Sequence, residues 1–573
     1  MTDRKQTGSY YTPNILSDFL TRYVFDNYIK LHNESSINVL EPSCGDGKFI
    51  ASLLKMNVDF NKHSISLYDI NNIELQKASE LFRSDQRSNV DLYNNDFLED
   101  FSKHKNKCSL IIGNPPYIRK KNMSDKQIIN CEKVHKLLYE EELNPNVKFK
   151  IKNVWTAFVE ASVMCLKKDG VFCMVLPADI MQVNYTKYLR WVLSSQFDKV
   201  DIFAFNELVF NDIQQDVVAI IGVKKLSNTS LHGISFYQVN KLEDLLERKF
   251  TRQFNNIHRT NLDKWTNYIL SDYELNSIHK LRKKFETINF YCDEANVGIV
   301  TAANNYFILN KEELKFNKLS RYTSVVKPIL SKGENVKNLV NFSISDYQKL
   351  KNSNAKVCFL KFKNITKNKF SKDVQSYLNN GESLKIDKRY KMTKRQNWYH
   401  VPSDWECDAF FVKRCHLFPR MIVNEANVLA TDSFYKVNLK KEFNVKNFVF
   451  SFYNSLTFIL CELEGRYYGG GVLELTPNEF KNIYIPYCHD VTDSDFYHLD
   501  SMIRNDADIS EILKFTNSII FKDVDIDLIY LEKIRNKLVN RRIKASLKSS
   551  LNNIVSISDE YIEKNLYKNA SNI

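Results

Sequence analysis

From about Ile37 to Val223, short apolar runs alternate with longer amphipathic stretches, the rhythm of a doubly wound α/β domain. Six runs read as strands: INVLE (37–41), SISLYDI (64–70), CSLIIG (108–113), GVFCMVLP (170–177), KVDIFAF (199–205) and VVAIIGVKK (217–225). Segment 153–168, NVWTAFVEASVMCLKK, has helical spacing and a basic final turn, and Asp169-Gly170 is expected to stop it. Beyond about residue 230 the pattern changes. Charged, Asn-rich sequence runs to about 290, and then short β-like runs (YFILN, VCFLKF, MIVNE, YKVNL) appear between polar loops, which predicts an α+β domain. The tail from about 495 has helical periodicity, notably over Ile526 to Lys548.

Length and composition narrow the class. At 573 residues the chain exceeds what one core usually serves. The 81 Lys+Arg against 68 Asp+Glu give a net charge of +13, which suits a polyanionic partner without requiring one. The opening MTDRKQTGSYYTP holds no apolar signal core, and the most apolar later stretch, Phe448 to Cys461, is too short to span a bilayer. Eleven cysteines without a Cys-x-x-Cys pair argue against a zinc site and a disulfide framework, so no metal is expected and a reducing cytoplasm is the expected location.

The sharpest motif is Asn114-Pro115-Pro116-Tyr117, directly after the buried run CSLIIG. Two prolines fix the backbone and remove two donors at a strand's carboxyl end, where open α/β sheets bind ligands. There the Asn114 side-chain oxygen and the Pro115 carbonyl can accept hydrogen bonds from an exocyclic amine, and Tyr117 can stack on its ring. The second motif, VLEPSCGDGKF (39–49), runs from a strand through a glycine turn into a helix. It lacks full dinucleotide spacing, since position 50 is Ile. Asp69 ends the next apolar run and can pair with ribose hydroxyls beside an apolar wall at Ile70. Asp96 and Phe97, in NNDFLED, can hold an adenine amine and its ring face. Their order matters, because these groups fall at the ends of successive strands of one sheet.

Thr7-Gly8-Ser9-Tyr10-Tyr11-Thr12-Pro13, EPSCGDGKF, DF and NPPY, in that order, resemble the gamma-class adenine-N6 DNA methyltransferases of restriction-modification systems, the TaqI-like group. The likeness is strong over about 5–225 and weaker in NVGIVTAANNYFILN (296–310), PILSKGENVKN (328–338), KRQNWYHVP (394–402) and GGGVLELTPNEFKNIYIP (469–486). The resemblance implies a Rossmann-like methyltransferase domain that uses S-adenosylmethionine. Thr12, Glu41 and Ser43 would contact the cofactor's methionine portion, Asp69 its ribose, Ile70 and Phe97 the two faces of its adenine, and Asp96 the adenine amino group. Asn114, Pro115 and Tyr117 would hold the target adenine, with Phe210 stacking on its other face and Phe205 as the rival. The division that follows is 1–235 catalytic, 236–290 connecting, 291–490 target recognition and 491–573 helical.

Double-stranded DNA is the expected partner, and a separately acting cognate restriction endonuclease is left open. Between 385 and 400 cations interleave with aromatics, marking Lys388, Arg389, Lys394, Arg395, Trp398 and Tyr399 as DNA contacts. The tail cations Arg535, Lys537, Arg541, Arg542 and Lys544 are weaker candidates. Two other readings remain, a methyltransferase acting on RNA or a protein glutamine, and a non-catalytic DNA-binding subunit.

Overall fold

The computed structural model describes residues 11–551 apart from 30–35, 57–62, 85, 144–150, 206, 208, 211–215, 256–263, 404–406 and 469–470. The chain forms two compact units, one chiefly Met1–Asn276 and the other chiefly Ser277–Ile543. Residues 7–10 of the Thr-Gly-Ser-Tyr motif lie outside the described residues.

The first unit is built on one mixed sheet of nine strands. These are β1 (Asn38–Glu41), β2 (Ser64–Tyr68), β3 (Val90–Tyr93), β4 (Cys108–Gly113), β5 (Leu166–Pro177), β6 (Lys199–Phe205), β7 (Val217–Val223), β8 (Gly233–Val239) and β9 (Phe250–Asn255). Their order is β3-β2-β1-β4-β5-β7-β6-β8-β9. Neighbours from β3 to β5 run parallel, whereas β7 is antiparallel to both β5 and β6. Helices cover the parallel half, so β4 is buried at all six positions and reads as a continuous apolar run. At the edge, β3 keeps only a half-exposed VDLY pattern, which is why its charged sequence conceals it.

Two boundaries differ from the sequence expectation. The sheet continues past residue 235, drawing β9 from the stretch read as a connection. The helix Trp155–Cys165 passes directly into β5 at Leu166, so the apparent basic last turn and the Asp169-Gly170 stop are strand. A bulge explains this: Cys108 pairs with Leu166 but Leu110 with Val171, and a Cβ on Gly170 would lie 2.9 Å from the Cys108 carbonyl oxygen.

On one side of the sheet, the helix Asn14–Val24 is anchored through buried polar groups. Asp201 of β6, fully buried, accepts hydrogen bonds from Tyr28 and from Tyr23 (3.0 Å), and the Lys199 Nζ lies 3.4 Å away. Leu16 and Leu20 on the same helix are fully buried in the apolar cluster beneath it. That anchoring fixes the helix's first turn, and with it Thr12.

The second unit combines small sheets with helices. One four-stranded antiparallel sheet joins Cys292–Val297, Phe434–Leu439, Ala409–Val412 and Met421–Val423, and a second joins Ile308–Leu309, Cys358–Leu360, Val326–Leu330 and Leu429–Ala430. Each of the four β-like runs expected after residue 290 falls in one of these two sheets. The terminal helix Leu528–Leu551 is fastened by Arg542, which makes a bidentate pair with Glu462 (2.7 and 3.0 Å) and donates to backbone carbonyls of His416 and Gly471. Both side chains are at most 5 % exposed. Arg535 is likewise buried and paired with Glu532 at 3.1 Å. Burial removes Arg535 and Arg542 from the nucleic-acid candidates, because a phosphate cannot reach a guanidinium enclosed inside the protein. Arg542→Ala is expected to cost about 3–5 kcal/mol by stranding the Glu462 carboxylate. Chemical denaturation should show that loss, and Arg542→Ala combined with Glu462→Ala should recover part of it.

Candidate functional site

Strand order reverses between β1 and β4, and at such a switch point the loops leaving the two strands part and open a crevice. Here a cleft open to solvent is lined by Tyr11, Pro42, Ser43, Gly45, Asp69, Ile70, Asn95, Asp96, Phe97, Asn114, Pro116, Ile118, Gln127, Val154 and Phe158. It therefore gathers Ser43, Asp69, Ile70, Asp96, Phe97 and Asn114 from the ends of β1, β2, β3 and β4.

The turn after β1 needs both glycines. Gly45 has φ +52° with no atom within 4 Å of where a Cβ would stand, which leaves its backbone open. Gly47, at φ +78°, caps the helix Lys48–Leu54, and a Cβ there would come within 2.8 Å of Leu81 Cδ1. Asp69 ties this turn to β2, accepting from the Gly45 N–H (2.8 Å) and the Asn71 N–H (2.7 Å). Burial raises the Asp69 carboxyl above its ordinary range, and those two backbone donors partly offset it. Ile70 beside it is 62 % exposed and forms an apolar wall.

Asp96 caps the short helix Phe97–Asp100 through the Leu98 N–H (3.0 Å) and accepts from Asn130 Nδ2 (3.2 Å). Its carboxyl is also raised by burial, opposed by these donors. Phe97 is buried edge-on to Tyr68, with ring centroids 5.5 Å apart.

Glu41 is the most unusual group. It ends β1, is 1 % exposed, and its Oε2 has no hydrogen-bond partner among the described residues. Burial, with Asp69 and Asp46 nearby, raises its carboxyl well above the ordinary range. A buried carboxylate with an open acceptor is completed by a cationic ligand group, so the donor set fits an amino-acid ammonium.

At the end of β4, Ser43 Oγ donates to the Asn114 backbone oxygen (3.0 Å), bridging the switch point. Asn114 Nδ2 donates to Thr12 Oγ1 (3.3 Å), and the Tyr117 hydroxyl donates to Asn114 Oδ1 (2.7 Å). Thr12 and Pro115 are buried and Tyr117 is half-buried. Phe210 belongs to the apolar cluster on which Tyr117 also packs, beneath the helix Asn14–Val24. It is 5 % exposed and does not line the cleft; Phe205, half-buried, packs on the same cluster. The far wall is not legible in sequence: Gln127 comes from the helix Asp125–His135, whose buried Asn130 holds Asp96 from behind, and Phe158 from the helix Trp155–Cys165. Gln127 and Asn130 are three apart and so share a helix face, the only signal that could have marked them.

In the second unit, residues 385–400 form a series of turns pinned by buried Ile386, Met392 and Tyr399. Lys388, Arg389, Lys391 and Lys394 are exposed, and Lys363, Lys369 and Lys372 are exposed on the neighbouring 363–372 segment. The two segments are joined by Asn397 Nδ2 donating to Asn364 Oδ1 (2.7 Å) and by Asn364 Nδ2 donating to Gln396 Oε1 (2.9 Å). Three expected contacts point inward instead. Arg395 donates to the carbonyls of Val300, Thr301 and Trp398; Trp398 Nε1 donates to Glu382; and the buried Tyr399 hydroxyl donates to Ile365. Their aromatic and cationic character serves the local core.

No group of three or more metal-ligating side chains occurs among the described residues, and none of their helices is long and apolar enough to cross a membrane.

Two family models match the chain. "Eco57I restriction-modification methylase" covers residues 48–210, and "Type II methyltransferase M.Eco57I, C-terminal domain" covers 262–521. Among curated proteins, the Type II methyltransferase M.AccI of Acinetobacter calcoaceticus is 26 % identical over 83 % of this chain and 84 % of its own length. M.BanIII of Aneurinibacillus aneurinilyticus is 22 % identical over 77 % and 82 %. The solved ATP-dependent Type ISP restriction-modification enzyme LlaBIII bound to DNA shares the fold, with TM-score 0.50 and 11 % identity over 87 % of this chain and 39 % of its own. The glycine turn, the Asp-Phe pair and Asn-Pro-Pro-Tyr around the cleft fall within the first matched segment or just before it, and the basic turns fall within the second. The chain thus carries Eco57I-type restriction-modification methylase domains and is a homologue of the Type II methyltransferases.

Proposed function

We propose that this chain is a site-specific DNA methyltransferase that transfers the methyl group of S-adenosylmethionine to N6 of an adenine rotated out of duplex DNA. The observation that carries this reading is the position of Asn114: its carboxamide, rigidly held after the central strand, lines the same cleft as Asp69, Asp96 and Phe97. When bound, the cofactor supplies an electrophilic methyl on a sulfonium. Glu41 would pair with its ammonium, Asp69 with ribose hydroxyls, Asp96 with the adenine amine, and Ile70 and Phe97 with the adenine faces.

Asn114 Oδ1 and the Pro115 carbonyl would accept both hydrogens of the target amine, orienting its nitrogen lone pair for in-line attack. Rotating a base out of the duplex costs roughly a few kcal/mol, of which stacking on Tyr117 would return about 1–3. The test is to incubate the chain with isotopically labelled cofactor and genomic DNA from a strain lacking adenine methylation, and then to digest to nucleosides. Labelled N6-methyldeoxyadenosine is expected; label in N4-methylcytosine, or transfer only to RNA or protein, overturns the proposal.

For DNA contact, the reading rests on the exposed cations Lys388, Arg389, Lys391 and Lys394. Replacing all four by Ala is expected to weaken DNA binding and flatten its salt dependence, since each phosphate contact contributes about 0.9 to the slope of log K against log salt. Binding isotherms at several salt concentrations check this, and an unchanged affinity and slope would reduce this surface to a solvated loop.

A further inference from the structure

We propose that Thr12 and Tyr117 are positioning residues that together pin the two ends of the Asn114 carboxamide where it would meet the target amine. The inference rests on the amine-methylation reading above and goes beyond it by giving Thr12 a role toward Asn114, distinct from the cofactor contact that the resemblance implies.

The two ends of a carboxamide are nearly equal in shape and opposite in chemistry. Turned over, Asn114 would present an NH₂ group, which donates and so cannot accept an amine hydrogen. Two hydroxyls pin its two ends. Thr12 Oγ1 accepts from Asn114 Nδ2 at 3.3 Å, and the Tyr117 hydroxyl donates to Asn114 Oδ1 at 2.7 Å. Thr12 is 5 % exposed and precedes Pro13, whose carbonyl accepts the first helical N–H groups of Leu16 (3.0 Å) and Ser17 (3.1 Å). The helix it leads into is held by the Asp201 contacts of Tyr23 and Tyr28. Thr12 Oγ1 is therefore held beside Asn114 at the start of a packed helix.

Tyr117 adds a second property. Its hydroxyl lies 2.7 Å from Asn114 Oδ1 and 3.0 Å from the Val175 carbonyl oxygen, two acceptors for one proton. As an amine hydrogen arrives at Asn114 Oδ1, the tyrosine proton can turn to Val175 at no loss of a hydrogen bond. Asn114 Oδ1 is thereby released to the substrate while its Nδ2 end stays bonded to Thr12 Oγ1.

The experiment compares Thr12→Val, an isostere without the acceptor, with Thr12→Ser, which restores it, in the full chain. Thr12→Val is expected to lower kcat about five- to tenfold, the effect of one hydrogen bond, with the cofactor Kd by calorimetry within about threefold of the parent. Thr12→Ser should recover most of that loss. Tyr117→Phe, which keeps the ring, should lower kcat by a similar factor, and adding it to Thr12→Val should cost less than the product of the two, because both act on one group. If Thr12→Val keeps the parent kcat, or loses cofactor affinity in proportion to activity, Thr12 does not position Asn114 and the inference fails alone. If the parent chain methylates no amine, the inference falls together with the proposed function.

Discussion

Glu41→Gln is expected to stabilise the cofactor-free protein at neutral pH and to abolish cofactor binding. The Glu41 carboxyl is buried, its Oε2 has no partner among the described residues, and burial raises it well above the ordinary value of 4.5. A carboxyl whose folded pKa is raised holds its proton in the native state after the unfolded chain has released it. Its stabilising contribution is full below the unfolded value and is lost as pH rises toward the folded one. Each pH unit above the unfolded value adds about 1.4 kcal/mol of cost until the raised folded value is reached. Glutamine carries no such cost, so the melting temperature of the variant should exceed that of the parent by a margin that widens with pH. Cofactor binding has the opposite sign. An ammonium stabilises the ionised carboxylate, so binding to the parent should release a proton and tighten with pH until the ligand amine itself titrates. Calorimetry in buffers of different ionisation enthalpy reads that proton directly. A variant that binds cofactor with the parent's affinity would remove Glu41 from the site.

The same residue shows where sequence is informative. Glu41, Asp69 and Asn114 were legible because each ends or follows an apolar run, and a parallel sheet places all such ends on one side. The edge strand β3 was less visible because an edge does not demand apolar residues on both faces, and β9 was hidden in charged sequence for a similar reason. Gly170 reads as a helix stop but serves a bulge, since only the β4 partner reveals that a side chain would meet the Cys108 carbonyl. The basic-aromatic run misled in part. Charge and aromaticity mark both phosphate contact and the packing of a helix-free segment, and only the partners of Arg395, Trp398 and Tyr399 separate the two. Phe210 carries the same ambiguity: its place after β6 suits a stacking ring, and its side chain is buried in the apolar cluster on which Tyr117 also packs.

Asn114→Ala is expected to lower methyl transfer by about a hundred- to a thousandfold, the range for losing a preorganised group that meets developing charge, while cofactor affinity stays within about tenfold. The separation follows from the geometry. Glu41, Asp69 and Asp96 are held by β1, β2 and the cap of Phe97–Asp100, none of which depends on the Asn114 side chain. The backbone bridge from Ser43 Oγ to the Asn114 carbonyl also survives the substitution. Nor should the fold suffer. The Tyr117 hydroxyl, deprived of Asn114 Oδ1, still has the Val175 carbonyl at 3.0 Å, so no buried donor is stranded. The loss should therefore appear in kcat, and single-turnover transfer with cofactor already bound should be as slow as steady-state turnover, placing the defect in the chemical step. A variant that still transfers methyl groups at even a tenth of the parent rate would show that the amine is held by other groups, and the role of the Asn-Pro-Pro-Tyr turn would shrink to shaping the cleft.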